Sequence, residues 1–439
     1  MFKEKLKTSI GLKIAVLSGL TLALLIPALM IQGTVHEREK RRAEVLNEIT
    51  SKWGGSQNIV GPVLSIPVEY IMADSKGKIR RYTNMIYLLP DSLNIQGAMQ
   101  PEVRYRGIYE ILLYTTDLGF SGKFNLANLG SLDLKDGLIK YDQAILEFGI
   151  SDLKGLNNRM VLEWGDAQEN ANPGIINCST IKKGFHMRAP LTREKSEYAF
   201  RINLDLNGSE SLSFIPVGEE NHASLQSNWQ HPSFMGDFLP KVRQIDEKHF
   251  SAEWKILNLN RNFPQISLGN PIEFDNTNFG VQLIYPVDQY QKTTRTVKYA
   301  IMFIGLTFIV FLLIEILNRK LLHPIQYLLV GSGLVLFYIL LLSLSEHMSF
   351  PLAYFLAAFS LIVLVSFYAR AILKDTRFML VIAGVLTTLY GFLYINLQLQ
   401  DYALLLGSIG LFVMLAVVMY LTRNIDWFSK LNVEEQKAS

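Results

Sequence analysis

Six apolar runs, one near the start and five crowded at the end, restrict what this chain can fold into more than any other feature. The first covers Ile14 to Gln32 and the rest lie between Tyr299 and Leu421. A bilayer core of about 30 Å takes roughly 20 apolar residues per helix, so each run is long enough to span. Roughly 265 polar, strand-like residues separate the first run from the second and contain no spanning segment. The pattern predicts a membrane α-helical bundle of six transmembrane helices, over 12–32, 299–318, 324–345, 350–369, 378–397 and 402–422. A large mainly-β, sandwich-like periplasmic domain is inserted between helices 1 and 2. The expected organisation is 1–32 as cytoplasmic N-terminus and signal-anchor helix, 33–298 as the periplasmic domain, 299–422 as a five-helix membrane bundle and 423–439 as a cytoplasmic tail.

Charge placement sets the expected orientation. Basic residues collect in short cytoplasmic loops. Arg319 and Lys320 lie in the loop 319–323, Arg370, Lys374 and Arg377 in 370–377, and Arg423 and Lys430 in the tail. The alternate loops, Glu346–Ser349 and Gln398–Asp401, hold no Lys or Arg. With six spans both termini then face the cytoplasm and the β domain faces outward. The stretch His36–Glu48 mixes Arg38, Lys40, Arg41 and Arg42 with Glu37, Glu39, Glu44 and Glu48, which reads as a solvated helical extension rather than an orientation signal. The first span has Lys residues before an apolar core but no small-x-small cleavage site, so it reads as an uncleaved signal anchor. Pro27 inside it is tolerated in a bilayer helix, usually with a kink.

The inserted region is almost neutral, which argues against nucleic acid as a partner. One cysteine, Cys178, excludes an internal disulfide and a thiolate cluster. Tyr198 to Asn207 alternates an aromatic or aliphatic face with a mostly polar one, as a half-buried antiparallel strand does. Asn207-Gly208-Ser209 reads as a turn, and Leu212 to Val217 as the returning strand. Leu93 to Met99 alternates similarly. Val60 to Val68 is apolar but interrupted by Pro62 and Pro67, which predicts an edge or bulged strand.

Several segments carry a family likeness. They include Val60-Gly61-Pro62-Val63-Leu64-Ser65-Ile66-Pro67, Gly149-Ile150-Ser151-Asp152-Leu153-Lys154-Gly155-Leu156 and Trp229-Gln230-His231-Pro232-Ser233-Phe234. In the membrane portion they include the run from His323 to Gly331, Ser343-Leu344-Ser345-Glu346-His347, and Asp401 to Ser408. On these the chain resembles the CreD family of bacterial inner-membrane proteins, described as cell envelope integrity proteins. The resemblance implies an inner-membrane location, control by a two-component sensor system and links to envelope stress response and colicin tolerance. It implies no assigned chemistry, and no catalytic residue is carried over.

Six polar positions near helix ends are the candidate functional residues. Glu315 is costly in a membrane helix unless paired or snorkelling, and Arg319 at i+4 is the simplest partner. The alternative is a proton or ion relay. His323-Pro324 reads as a cap and helix start. Glu346, His347 and Asp401 share the outer edge. They are either separate solvated residues or a cluster acting as a latch onto the outward domain, a proton-sensitive switch or a partial metal site. His323 and His347 fall on opposite sides and cannot share one metal. No nucleophile elbow or phosphate-binding loop is present. No catalytic residues, cofactor or metal are therefore expected. The expected partners are membrane lipids and an envelope protein or cell-wall ligand on the periplasmic side. The reading is an inner-membrane envelope integrity and stress-response protein with a periplasmic binding or sensing domain and no enzymatic activity. The alternative is a transporter or lipid-handling protein using the acidic and His residues.

Overall fold

The computed structural model describes residues 10–73, 79–274, 277–284, 289–318, 321–399 and 402–423. Two compact units are formed, Met1–Ala43 with Val287–Ser439, and Glu44–Pro286. The first is helical. Helix α1 (Ile10–Trp53) runs through Pro27 and through the mixed-charge stretch expected to be helical. It is followed in this unit by α2 (Gln289–Lys298), α3 (Ala300–Asn318), α4 (Pro324–Ser345), α5 (Phe350–Leu373), α6 (Thr376–Gln398) and α7 (Ala403–Thr422). Among the described residues five helices are long and apolar enough to cross a membrane: α1, α4, α5, α6 and α7. The segment expected as one span over 299–318 is the second arm of a pair, α2 and α3, bent by 45°, and counts as a sixth span only if the pair is taken together. The polar sequence of α2, with Arg295 and Lys298 in its last turn, accounts for its absence from the apolar runs.

The second unit is a large mixed β domain of two sheets. One sheet has ten strands and the other eight. They share one apolar core. Phe120 of the eight-stranded sheet lies 5.7 Å from Phe148 and 6.0 Å from Phe214 of the ten-stranded sheet, ring centre to ring centre. The eight-stranded sheet runs Val242–Ile245, Phe250–Leu257, Glu220–Ser227, Ser92–Arg106, Tyr109–Asn125, Glu197–Ser209, Val161–Trp164, Ala167–Asn170. Strand Ser92–Arg106 buries alternate residues along its first half, as its sequence predicts. Each sheet contains one parallel pair: Gln57–Ala73 with Ser211–Phe214, and Ser92–Arg106 with Glu220–Ser227. Simple antiparallel pairing is therefore not the rule throughout.

One strand expectation is corrected, and one is resolved between its two alternatives. Glu197–Ser209 does not turn back on itself at Asn207-Gly208-Ser209. It stays extended through Ser209, paired with Tyr109–Asn125. Glu210 then takes φ +60, and the chain enters the other sheet as Ser211–Phe214, beside Gln57–Ala73 and Phe279–Leu283. The Asn-Gly-Ser signal thus lies next to a sheet-to-sheet crossing and makes no hairpin. Of the two alternatives for the strand holding Pro62 and Pro67, edge or bulged, the structure shows the bulged one. Gln57–Ala73 is paired on both sides. Pro62 falls where the register against Ile145–Ile150 shifts between Val60 and Val63. At such a bulge the ladder does not require the missing N–H.

The last turns of α1 belong to the β unit. Trp53 Nε1 donates to the Tyr114 carbonyl at 3.4 Å, the Arg104 guanidinium lies 4.0 Å over the Trp53 ring, and Arg106 pairs with Glu48 at 2.8 Å. Lys52 and Arg106 hold the Glu48 carboxyl below its ordinary range.

Candidate functional site

The helical unit binds α1 at two levels, each through a carboxylate singled out by sequence. At one level Glu315 of α3 is 4% exposed and forms an ion pair with Lys13 of α1. Its Oε2 accepts from the Tyr327 hydroxyl of α4 at 2.8 Å, and its Oε1 accepts from Leu322 N at 3.1 Å. A buried carboxylate is tolerated when cation and donors converge on it in this way. Arg319, the expected i+4 partner, lies outside the described residues. His323 is a cap: its Nδ1 accepts from Ile325 N at 3.3 Å, and its own N–H donates to the Gln326 side chain at 2.9 Å, opening α4 at Pro324.

At the other level Glu346 closes α4. Its carboxylate accepts from the Tyr290 hydroxyl of α2 at 3.4 Å and lies 3.7 Å from Arg38 Nε of α1. His347 is exposed. Asp401 lies outside the described residues, so the proposed three-residue cluster is represented only by Glu346 and His347. Lys13 and Arg38 stand about 25 residues apart on one helix, roughly 37 Å at 1.5 Å per residue. That separation fits between the hydrocarbon thickness and the full headgroup-to-headgroup thickness of a bilayer. The two pairs therefore hold α1 near opposite ends of its spanning segment.

The charged groups buried in the β unit have structural partners. Glu147 is fully buried on strand Ile145–Ile150. It accepts from Ile176 N and Asn177 N at 2.8 Å each, from Cys178 N at 3.1 Å and from Ser65 Oγ at 2.6 Å. Cys178 beside it is buried, and that burial raises its thiol pKa. Arg261 is also buried. It donates to the carbonyls of Val217 and Phe263 and to the Gln265 side chain, and burial lowers its pKa to about 10. In the segment Trp229 to Phe234, Trp229 donates to the Ile284 carbonyl at 3.1 Å and Phe234 packs edge-on to Phe250 and Trp254.

A groove of about 560 Å³ lies on the outer face of the eight-stranded sheet, around Gln96, Asp117, Gly119, Asn203, Ser224 and Glu253. A second, of about 490 Å³, lies between Leu156, Met160 and Phe185, with Arg159 among its lining residues. Sequence reading missed both. The signal for the groove was the polar face of the strand around Asn203 and Asp205, which alone has no address until register places it beside its neighbours. Among the described residues no group of three His, Cys, Asp or Glu side chains is arranged to hold a metal ion.

A family model described as "Inner membrane protein CreD" matches residues 9–428. The inner membrane protein CreD of Escherichia coli (strain K12) is 34% identical over 440 residues, covering 99% of this chain and 97% of that protein. A solved structure of an M1 zinc metallopeptidase from Deinococcus radiodurans aligns with 42% of this chain and 42% of its own at 7% identity, with a TM-score of 0.19, too low to bear on fold or function.

Proposed function

The chain belongs to the CreD family of inner membrane proteins, and on that premise we propose that it is a multi-pass envelope integrity and stress-response protein without catalysis. Its β domain binds or senses an envelope component on the periplasmic side. The observation that carries this reading is how the β unit uses its charged groups. Glu147 and Arg261 are engaged by backbone and neighbouring side-chain groups, while the cavity of about 560 Å³ on the eight-stranded sheet is an open polar groove suited to holding a ligand. The proposed orientation has six spans, the bent pair α2–α3 counting as one, with both termini cytoplasmic. The basic loops support the orientation, and the ion-pair levels fit a first helix that spans. Lys13 and the loop after Glu315 lie at one end of the bundle, and Arg38 and Glu346 at the other.

The transport reading has less support, because Glu315 already holds a cation and two further donors. The test is capture from envelope extracts by the full chain in lipid nanodiscs, beside a chain whose β-domain groove is blocked. Specific recovery of one envelope component, with no turnover of it, is the expected result. Hydrolysis or modification of the captured material overturns the non-catalytic reading.

A further inference from the structure

We infer that the groove on the open face of the eight-stranded sheet is a binding site for a neutral, hydroxyl-rich chain, a glycan segment lying across the strands over Gly119. This rests on the reading of the β domain as a ligand-binding module and names the ligand's chemistry. Strand register arranges the groove in two rungs. One runs Ser251, Gln226, Ala98, Asp117, Asp205, and the next runs Glu253, Ser224, Gln96, Gly119, Asn203.

Three features of these rungs work against strand stability, offset in part where the Asn157 amide donates to Asp205 Oδ1 at 3.1 Å. First, the rungs are built largely from residues that are poor strand formers, Asn, Asp, Gly and Ala, with Ser and Gln, where Thr, Val or Tyr would favour the sheet. Second, Asp117 and Asp205 are direct cross-strand partners, and like charges placed opposite each other are destabilising. Third, Gly119 sits mid-strand with room for a side chain. A Cβ there would meet Asn203 Oδ1 at 3.5 Å and the Gln96 carbonyl at 4.0 Å, which is ordinary contact. At every other described strand glycine an added Cβ would stand 2.8 Å or less from a neighbouring atom. A strand glycine without a packing reason marks a place where something else approaches the backbone. Departures from local rules concentrated at one place are expected at functional sites.

The lining chemistry selects the ligand. Amides from Gln96, Asn158, Asn203 and Gln226 and hydroxyls from Ser224 and Ser251 both donate and accept, as sugar hydroxyls do. Asp117, Asp205 and Glu253 accept from hydroxyl donors and disfavour an anion. No Lys or Arg lines the groove. The basic groups Lys255 and Arg201 stand only on the next rung, with His222 and Asn94. The strands of the groove are paired on both edges, except at Asn203–Asp205, where Asn157 and Asn158 bond the outer edge at Asp205, so a peptide has no open edge to extend there.

The test is calorimetric titration of the full chain in nanodiscs with chitotetraose, a neutral glycan, and with spermine, a polycation. Wild type is expected to bind chitotetraose saturably and spermine weakly. Gly119→Val fills the floor and improves strand propensity, so its unfolding midpoint should hold or rise while affinity falls about tenfold or more. Asn203→Ala with Gln226→Ala removes two hydrogen-bonding side chains and should lower affinity about tenfold. Absence of saturable chitotetraose binding, saturation by spermine in its place, or affinity unchanged in both variants overturns the inference. If Gly119→Val still captures the envelope component that wild type captures, the groove assignment falls and the ligand-binding reading survives. If wild type captures nothing, both fall.

Discussion

Glu147 is a carboxylate sealed inside a β domain, and its four donors are a hydroxyl and three successive backbone N–H groups of the loop Ile176–Cys178. Each of its oxygens accepts two of these bonds, so the side chain must be acceptor-only. Glu147→Gln places an amide NH₂ against backbone donors and should cost about 2–3 kcal/mol in the β domain's unfolding free energy, read as a lower melting midpoint of the full chain. The neighbouring Cys178 is held as a thiol. Burial raises its pKa above the ordinary 9.0, with the Glu147 charge adding to the rise against a Thr180 hydrogen bond. An impermeant maleimide should therefore leave native Cys178 unmodified near pH 8 and modify it fully in denaturant. The pH dependence has a definite sign. The folded state keeps the proton longer than the unfolded chain does, so this site's contribution to stability is complete below pH 9 and declines as pH rises past it. Labelling of the native chain at pH 8, at the rate of an unfolded peptide, would contradict the burial.

Helices and strands differ in how much of them the sequence displays. The apolar runs at α1, α4, α5, α6 and α7 are directly legible because a bilayer demands length and apolarity in one continuous stretch. The arm α2 is polar and was invisible to that criterion. In the β unit, alternation located Ser92–Arg106 and Glu197–Ser209, but alternation carries no information about which strand is adjacent. Hence alternation reads the crossing at Glu210 as a hairpin, and the prolines leave edge and bulge undivided for the interior strand carrying Pro62. The same limit hid the groove, whose rungs draw on five strands spread from Gln96 to Glu253. Glu315 is legible as a costly residue and Glu346 as an outer-edge one, but their partners on α1 are not, since pairing over some 300 residues leaves no local trace. The Lys13–Glu315 pair makes α1 an integral element of the bundle. Lys13→Glu or Glu315→Lys alone should leave a buried charge unmatched, at a cost of about 3–5 kcal/mol. The double exchange should recover a large part of that loss. Thermal unfolding of the four proteins in one detergent measures the coupling, and additive losses would show that the pair does not hold α1.

At the scale of the whole molecule, the chain is a multi-pass inner membrane protein whose proposed function depends on which side of the bilayer bathes the β domain. The two ion-pair levels, about 37 Å apart on α1, fit a spanning helix in either direction, and the basic loops favour the proposed arrangement. In it, residues 44–286 and the loop at His347 face outward, and the loop 319–323 faces inward. Native Cys178 is buried and reports nothing about side, so the experiment starts from Cys178→Ser. Single cysteines then go to Leu259, 89% exposed on the β unit, to His347 after α4, and to Leu321, 64% exposed before α4. In intact spheroplasts an impermeant maleimide should modify the cysteines at 259 and 347 and spare the one at 321 until the membrane is permeabilised. The pattern has internal redundancy. Positions 321 and 347 flank a single helix of 22 residues, so they must differ if α4 spans at all. Labelling at 321 but not at 259 would place the β domain in the cytosol, where a cell-wall glycan is out of reach, and would require the basic loops to have been carried across the membrane against their charge.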